Sequence, residues 1–375
     1  MRLVKSFLIF LLIPFSLIFF TGCKNSSDWN SIQQGKELKI AILVPSADYE
    51  EKSSFMAGIK LATEDVKGKG YKVSYKTFSD DDNYDKGVAL AKEIIKNNEY
   101  QMAFSFQNMD TFDTVSKLFE EANKPLFSIE GADDATMNRS NKYVFNLQTT
   151  AENFGKAAGR FAVSKGSKKI AIAHSGNSFE YNFIEGFNDV VDEDSSAKVV
   201  DITVGPYKEQ DFEGIFSRWS TLGTDTVVLS FADLSWAMKL ISLIKSKNPN
   251  IQIIADPYFN NKSCYKGYEK YVEGMVMPSN YHVNTSNNLK KFYEEHKSSL
   301  KVSSIPLAVQ GFDLVNMIVL KMQNNSTTLD FVNSMKANEG YDGVASLKFN
   351  AIGNLEDEPD YLIVKNGELE EIKIK

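Results

Sequence analysis

Two carboxylates, Glu130 and Asp256, each stand directly after a predicted strand, and Asp110, Asp133 and Asp134 lie on neighbouring loops. Aromatic residues accompany them: Tyr49 in the first loop, then Phe179, Phe231 and Tyr258. An acid beside an aromatic face suits an amine-bearing or other cationic solute, through charge-assisted hydrogen bonds and cation–π attraction. A sugar or other neutral polar solute is the second candidate. A ligand carrying only a carboxylate ranks low, because no Arg or Lys falls on these loops. Each residue also has a structural reading. Asp133 and Asp134 serve as turn caps, Phe179 and Phe231 as packing residues, and the strand-end acids as acceptors of backbone N–H groups.

Covalent and metal chemistry have weaker support. The run Asp80-Asp81-Asp82-Asn83 is acidic, but a calcium loop needs a closing Glu twelve residues along and Ala91 stands there. The run reads better as a solvated turn that starts a helix, where acids interact well with the helix dipole. His174, His282 and His296 are far apart, and Cys264 is a lone thiol with no histidine base beside it. His174 directly follows a predicted strand and is either a cleft residue or a strand-end cap. No glycine-rich phosphate loop, Gly-x-Ser-x-Gly turn or His-Glu-x-x-His pair occurs. No cofactor is expected, and binding is favoured over catalysis.

The elements that must position these residues alternate. Leu38 to Val44 is an apolar run that predicts a buried strand, and Phe55, Ile59, Ala62 and Val66 form one face of a helix. Strands are predicted at 71–78, 101–105 and 125–129, with helices at 86–96 and around 112–122. The rhythm restarts near Glu152, with strands at 169–173, 198–204, 226–230 and 251–255 separated by helical stripes. Continuous apolar strands between helices predict α/β lobes built on parallel-rich sheets, with sites at the carboxyl ends of the strands. Later segments predict helices at 289–296, 306–323 and 328–336 and strands at 345–349 and 361–364.

The chain has 375 residues, which suits two domains. Its formal charge of −7 argues against a nucleic-acid surface. Arg2 and Lys5 precede an apolar stretch from Phe7 to Phe20, followed by Thr21, Gly22 and Cys23. That stretch is short for a bilayer span and reads as a secretory signal. The Phe-Thr-Gly-Cys ending resembles a bacterial lipobox, which implies cleavage before Cys23, diacylglycerol on its thiol and acylation of its amine. Residues 1–22 are then a lipoprotein signal peptide and 23–37 a lipidated tether.

From Lys39 to Lys373 the sequence resembles the branched-chain amino-acid type of ABC-transporter substrate-binding protein, with the class I periplasmic fold. The resemblance rests on Phe55-Met-Ala-Gly-Ile-Lys-Leu-Ala-Thr-Glu-Asp65, Asp80-Asp81-Asp82, Ala122-Asn-Lys-Pro-Leu-Phe-Ser128, Lys168-Lys-Ile-Ala-Ile-Ala173, Asp211-Phe212, Glu273-Gly274, Phe312-Asp313 and Leu347-Lys-Phe-Asn350, in family order. It implies two Rossmann-like lobes joined by a multi-crossover hinge, 38–149 plus 277–340 and 150–276 plus 341–375. It also implies a small polar solute held between the lobes, an ABC permease as partner, attachment to a membrane through the N-terminal lipid, an extracytoplasmic location and a monomer.

The site residues it carries over are altered. The family's serine pair is Gln107-Asn108 here, and its Ser-Ala-Thr segment is Glu130-Gly131-Ala132. Its lobe-two tyrosines fall on Phe179 and near Phe231, and its acidic partner near Asp256 and Tyr258. The scaffold is kept while the amino-acid lock is not. Three functions remain open: uptake with a permease, ligand sensing or partner binding without one, and, least supported, catalysis.

Overall fold

The computed structural model describes residues 37–374, apart from 140, 206–207, 261, 281–286, 301, 303, 338 and 357. The predicted signal, the tether up to residue 36 with Cys23, and His282 lie outside the described residues.

Five parallel strands build the first sheet: β1 (Leu38–Val44), β2 (Val73–Ser79), β3 (Met102–Ser105), β4 (Leu126–Ser128) and β5 (Val144–Asn146). They lie in the order β2-β1-β3-β4-β5. The second sheet holds β6 (Lys169–His174), β7 (Lys198–Val204), β8 (Thr226–Ser230), β9 (Gln252–Ala255) and β10 (Val276–Ser279) in parallel. A short antiparallel pair, β11 (Tyr341–Asp342) and β12 (Ser346–Leu347), stands apart. Two antiparallel strands, β13 (Asp360–Lys365) and β14 (Glu368–Ile372), complete the second sheet in the order β14-β13-β10-β9-β8-β6-β7. Strand order reverses beside β1 in the first sheet and beside β6 in the second. Chains leaving neighbouring strands there turn to opposite faces and open a crevice at the carboxyl ends.

The expected two-lobed α/β architecture with parallel-rich sheets is the architecture of the molecule. Its limits follow packing. β10 stays in the second sheet to Ser279, whereas 277 was the expected return to the first lobe. Leu347, Phe349 and Leu355 lie in the first lobe's core, and the chain enters the second sheet at Asp360 rather than near 341. β5 and β14, absent from the expected elements, are short or polar-faced strands recruited by neighbours already in place.

Burial explains why the lobes hold. In the first, Phe104, Phe127 and Phe145 come from three adjacent strands; Phe127 and Phe145 stack at 4.6 Å and Phe104 meets Phe127 edge-on at 5.5 Å. Such pairs contribute ~0.5–1.5 kcal/mol each beyond their buried area. The helices Ser54–Gly68 and Ile305–Gln323 cross so closely that a Cβ on Gly58 would strike the carbonyl of Ala308. Ile305–Gln323 is long and apolar enough to cross a membrane, but most of it is buried in this lobe as a core helix. In the second lobe, Ala151–Ser164 and Ser178–Glu193 cross in the same way, with Gly155 against the backbone of Phe183.

The chain passes between lobes at 147–150, again after Ser279, and again between Leu355 and Asp360. Side chains tie the first passage to the second and to the first lobe's helix Ile305–Gln323. Asn280 Nδ2 donates to Thr149 Oγ1 at 2.6 Å, and Gln148 Nε2 donates to Gln310 Oε1 at 3.2 Å.

Candidate functional site

The carboxyl ends of the two sheets face each other across a cleft of about 430 Å³. The first lobe lines it with Pro45 after β1, Asp82 after β2, Phe106, Asn108, Met109 and Asp110 after β3, and Glu130 after β4. The second lobe lines it with Asn177, Ser178 and Phe179 after β6 and Tyr258 after β9. This size suits a small solute. A depression of about 480 Å³ on the second lobe, lined by Lys245, Lys270 and Glu273, lies at the amino ends of its strands. It is far from where an open α/β sheet binds ligands.

An asparagine N-caps the helix on each side of the cleft. Asn108 accepts from the Thr111 N–H at 3.0 Å and starts the helix Met109–Glu121. Asn177 accepts from the Glu180 N–H at 2.9 Å and starts Ser178–Glu193. These caps satisfy otherwise orphaned donors and hold both helix starts toward the cleft. The starts meet: Ser178 Oγ donates to Asp110 Oδ1 at 3.4 Å, from one lobe to the other.

Among the described residues Glu130 takes one hydrogen bond, from the Tyr49 hydroxyl at 2.6 Å. Tyr49 itself leans on Phe106, ring centroids 5.0 Å apart. Glu130 keeps contact with solvent, yet the surrounding cleft walls push its carboxyl above the ordinary range, only partly offset by the Tyr49 hydrogen bond. Across the cleft, Phe179 and Tyr258 pack with centroids 4.8 Å apart at 45°. Tyr258 remains 42% exposed. Burial, followed by the charges of Asp256, Glu180 and Glu130, pushes its phenol up to about 12.

The structure therefore brings Asn108, Glu130, Phe179 and Tyr258 to the cleft, with Tyr49 behind Glu130. It directs the other expected residues inward. Gln107 is buried, donating to Asp80 at 2.8 Å and accepting from Ser105 at 3.1 Å. Gly131 turns the chain at φ +112°, its N–H on Ser128 Oγ, and Ala132 sits in the hydrophobic core. Phe231 packs in the second lobe's core. Asp256 is fully buried and accepts from Ser230 Oγ at 2.7 Å, Phe231 N at 3.0 Å and Tyr258 N at 2.9 Å. Burial outweighs those bonds and pushes its carboxyl up to about 8.

Glu180, which the sequence did not single out, performs the parallel task after β6. It is buried and accepts from Ser175 Oγ at 2.5 Å, Gly176 N at 2.6 Å and Ala232 N at 3.0 Å. His174 lies beside it, Nδ1 to Glu180 Oε2 at 3.8 Å, and burial lowers the imidazole below its usual range. Asp82, Asp110, Asn177 and Ser178 also line the cleft. Their signal was positional, since each follows a predicted strand by a few residues. Among the described residues no group of His, Cys, Asp and Glu is arranged to hold a metal ion.

No functionally curated protein matches the chain. An ABC-transporter substrate-binding protein from Desulfitobacterium hafniense in complex with Leu is 16% identical, with a TM-score of 0.76 over 90% of this chain and 100% of that one. A branched-chain amino acid transporter substrate-binding protein from Streptococcus pneumoniae in complex with isoleucine is 14% identical, with a TM-score of 0.71 over 90% and 100%. A solute-binding protein of an ABC transporter from R. palustris in complex with benzoate is 17% identical, with a TM-score of 0.72 over 90% and 96%. At these identities the likeness is one of fold, that of class I periplasmic binding proteins. A family model described as "Periplasmic binding protein" matches residues 37–352. The chain therefore belongs to the periplasmic binding protein family, whose members are non-catalytic solute-binding proteins and which an extracytoplasmic location fits.

Proposed function

We propose that the chain is a lipid-anchored, extracytoplasmic solute receptor that works as a monomer and delivers a small polar solute to an ABC permease. One observation carries the reading: the switch points of two sheets face each other across a cleft of ligand size, with polar and aromatic side chains from both lobes. A rigid lobe on each side of a side-chain-tied hinge suits closure around a solute. The structural relatives named above are substrate- or solute-binding proteins of transporters, which favours delivery over sensing. The lipid is assigned to Cys23, because one diacylglycerol and one acyl chain are enough for stable attachment.

Small-angle scattering tests the receptor. Protein purified without dialysis is compared with the same chain stripped of solute by denaturation and refolding. A larger radius for the stripped form is expected, and identical radii with solute demonstrably removed overturn the clamp. Cys23→Ala tests the anchor: the chain should leave the membrane fraction, and a processed form still partitioning there overturns the lipid assignment.

A further inference from the structure

The cleft's charge is unbalanced. Asp82, Asp110 and Glu130 line it, and no lysine, arginine or histidine does so among the described residues. Acids just outside are treated differently. Asp81 pairs with Lys86 at 2.5 Å, Asp113 with Lys117 at 2.8 Å and Arg139 at 2.7 Å, and Asp48 pairs with Lys52. Asp81 and Asp82 are adjacent in sequence and share a left-handed backbone at φ 54°. One has a lysine and the other faces the cleft without one. Among the described residues none of the three cleft acids forms an ion pair. Glu130 receives a neutral phenol and Asp110 a neutral hydroxyl.

Opposite these acids stand π faces. The Phe179–Tyr258 pair lines the other wall, and Tyr258 lies near enough to Glu130 for the carboxylate's charge to act on its phenol. Low-dielectric walls carrying one sign of charge concentrate counter-ions, and a ring pair within about 6 Å attracts a cation further. A carboxylate entering this cleft meets three like charges and no basic side chain among the described lining residues. An ammonium or guanidinium group meets acceptors on one side and ring faces on the other.

We propose that the solute is a small organic cation without a carboxylate, its charge held by Glu130, Asp82 and Asp110 of the first lobe and covered by Phe179 and Tyr258 of the second. This rests on the receptor reading above and names the ligand class of that same cleft. Tyr49 fixes the Glu130 carboxylate, leaving its second oxygen for the ligand. The Ser178–Asp110 contact brings the two walls together beside it.

The test is calorimetric titration of the stripped, refolded full chain with choline, putrescine and agmatine, against leucine, glucose and benzoate, with scattering as the readout of closure. At least one cation should bind tighter than about 1 mM, weaken as salt is raised, and shrink the radius. Glu130→Gln and Asp82→Asn should each weaken it about tenfold or more. Both acids are exposed, so the variants should melt like the parent chain. Cation binding that neither variant changes overturns the inference. Closure around leucine, glucose or benzoate with no cation bound overturns it too, and leaves the receptor reading standing. If none of the six binds, the cation class is also overturned, and the receptor reading is then decided by the stripped and undialysed radii.

Discussion

The two walls of the cleft use acids in opposite ways. The first lobe leaves Asp82, Asp110 and Glu130 at the surface, where they face the space between the lobes. The second lobe buries Glu180 and Asp256 behind its wall, where they accept the N–H and O–H groups of loops after β6, β8 and β9, and shows the cleft amide, hydroxyl and ring groups instead. A buried carboxylate with several donors is a fastener: it fixes a loop's shape and is no longer available to a ligand. An exposed one, short of donors, is available for charge recognition. Residue type alone does not separate these roles; the supply of local donors does.

Removing a fastener should have the largest effect. Glu180→Ala leaves partly buried donors from two segments, the loop after β6 and Ala232 after β8, without their acceptor, and should destabilise the chain by ~3–5 kcal/mol, measured by urea denaturation. A loss below ~1 kcal/mol would show that water replaces the carboxylate easily. Asp256→Ala removes three such bonds and should cost ~2–3 kcal/mol in the same assay. By contrast, Glu130→Gln should change stability by less than ~0.5 kcal/mol, its effect being on solute affinity. Equal stability losses for Glu130 and Asp256 variants would erase the distinction between the walls.

Acidity sharpens the comparison. The folded state raises Asp256 from 3.8 to about 8, so folded protein binds more protons than unfolded protein between those values. Its contribution to stability is fully present below about pH 4 and is lost as pH rises toward 8. Melting temperatures of the parent chain should therefore fall relative to Asp256→Asn over that range. Parallel profiles would mean that Asp256 stays ionised in the fold. The smallest effect expected is from Ser178→Ala, which removes the 3.4 Å contact to Asp110 at the cleft rim. It should shift solute affinity by no more than about twofold, since a rim hydrogen bond contributes well under ~1 kcal/mol net.

The alternation of apolar strands with helical stripes made both sheets readable, because buried parallel strands cannot hide their composition. What was not readable followed from partners distant in sequence. β5 is three residues long, and its identity as a strand comes from pairing with β4. The site divided in the same way. Glu130 follows the end of β4, Tyr258 lies in the turn after β9 and Phe179 in the first turn of the helix after β6, and all three face the cleft. Asp256 stands at an equivalent strand end but finds Ser230 Oγ and two N–H groups beside it, and they turn it inward. Asp82 looked like its neighbour Asp81, and only the reach of Lys86 tells them apart.

The crossing of Gly58 and Ala308 has a consequence for the order of assembly. The first lobe's core needs the helix Ile305–Gln323 seated against Ser54–Gly68, backbone to backbone, across some 250 intervening residues. The second lobe likewise gains β13 and β14 only from the chain's last stretch. A chain emerging from its amino end can form strands and helices early, but the first lobe cannot close on itself until the helix Ile305–Gln323 has arrived, nor the second until β13 and β14 have. Loop closure over such distances is entropically late and slow. The chain should therefore stay incompletely packed, and open to chaperones and proteases, until residues 305–372 have been made.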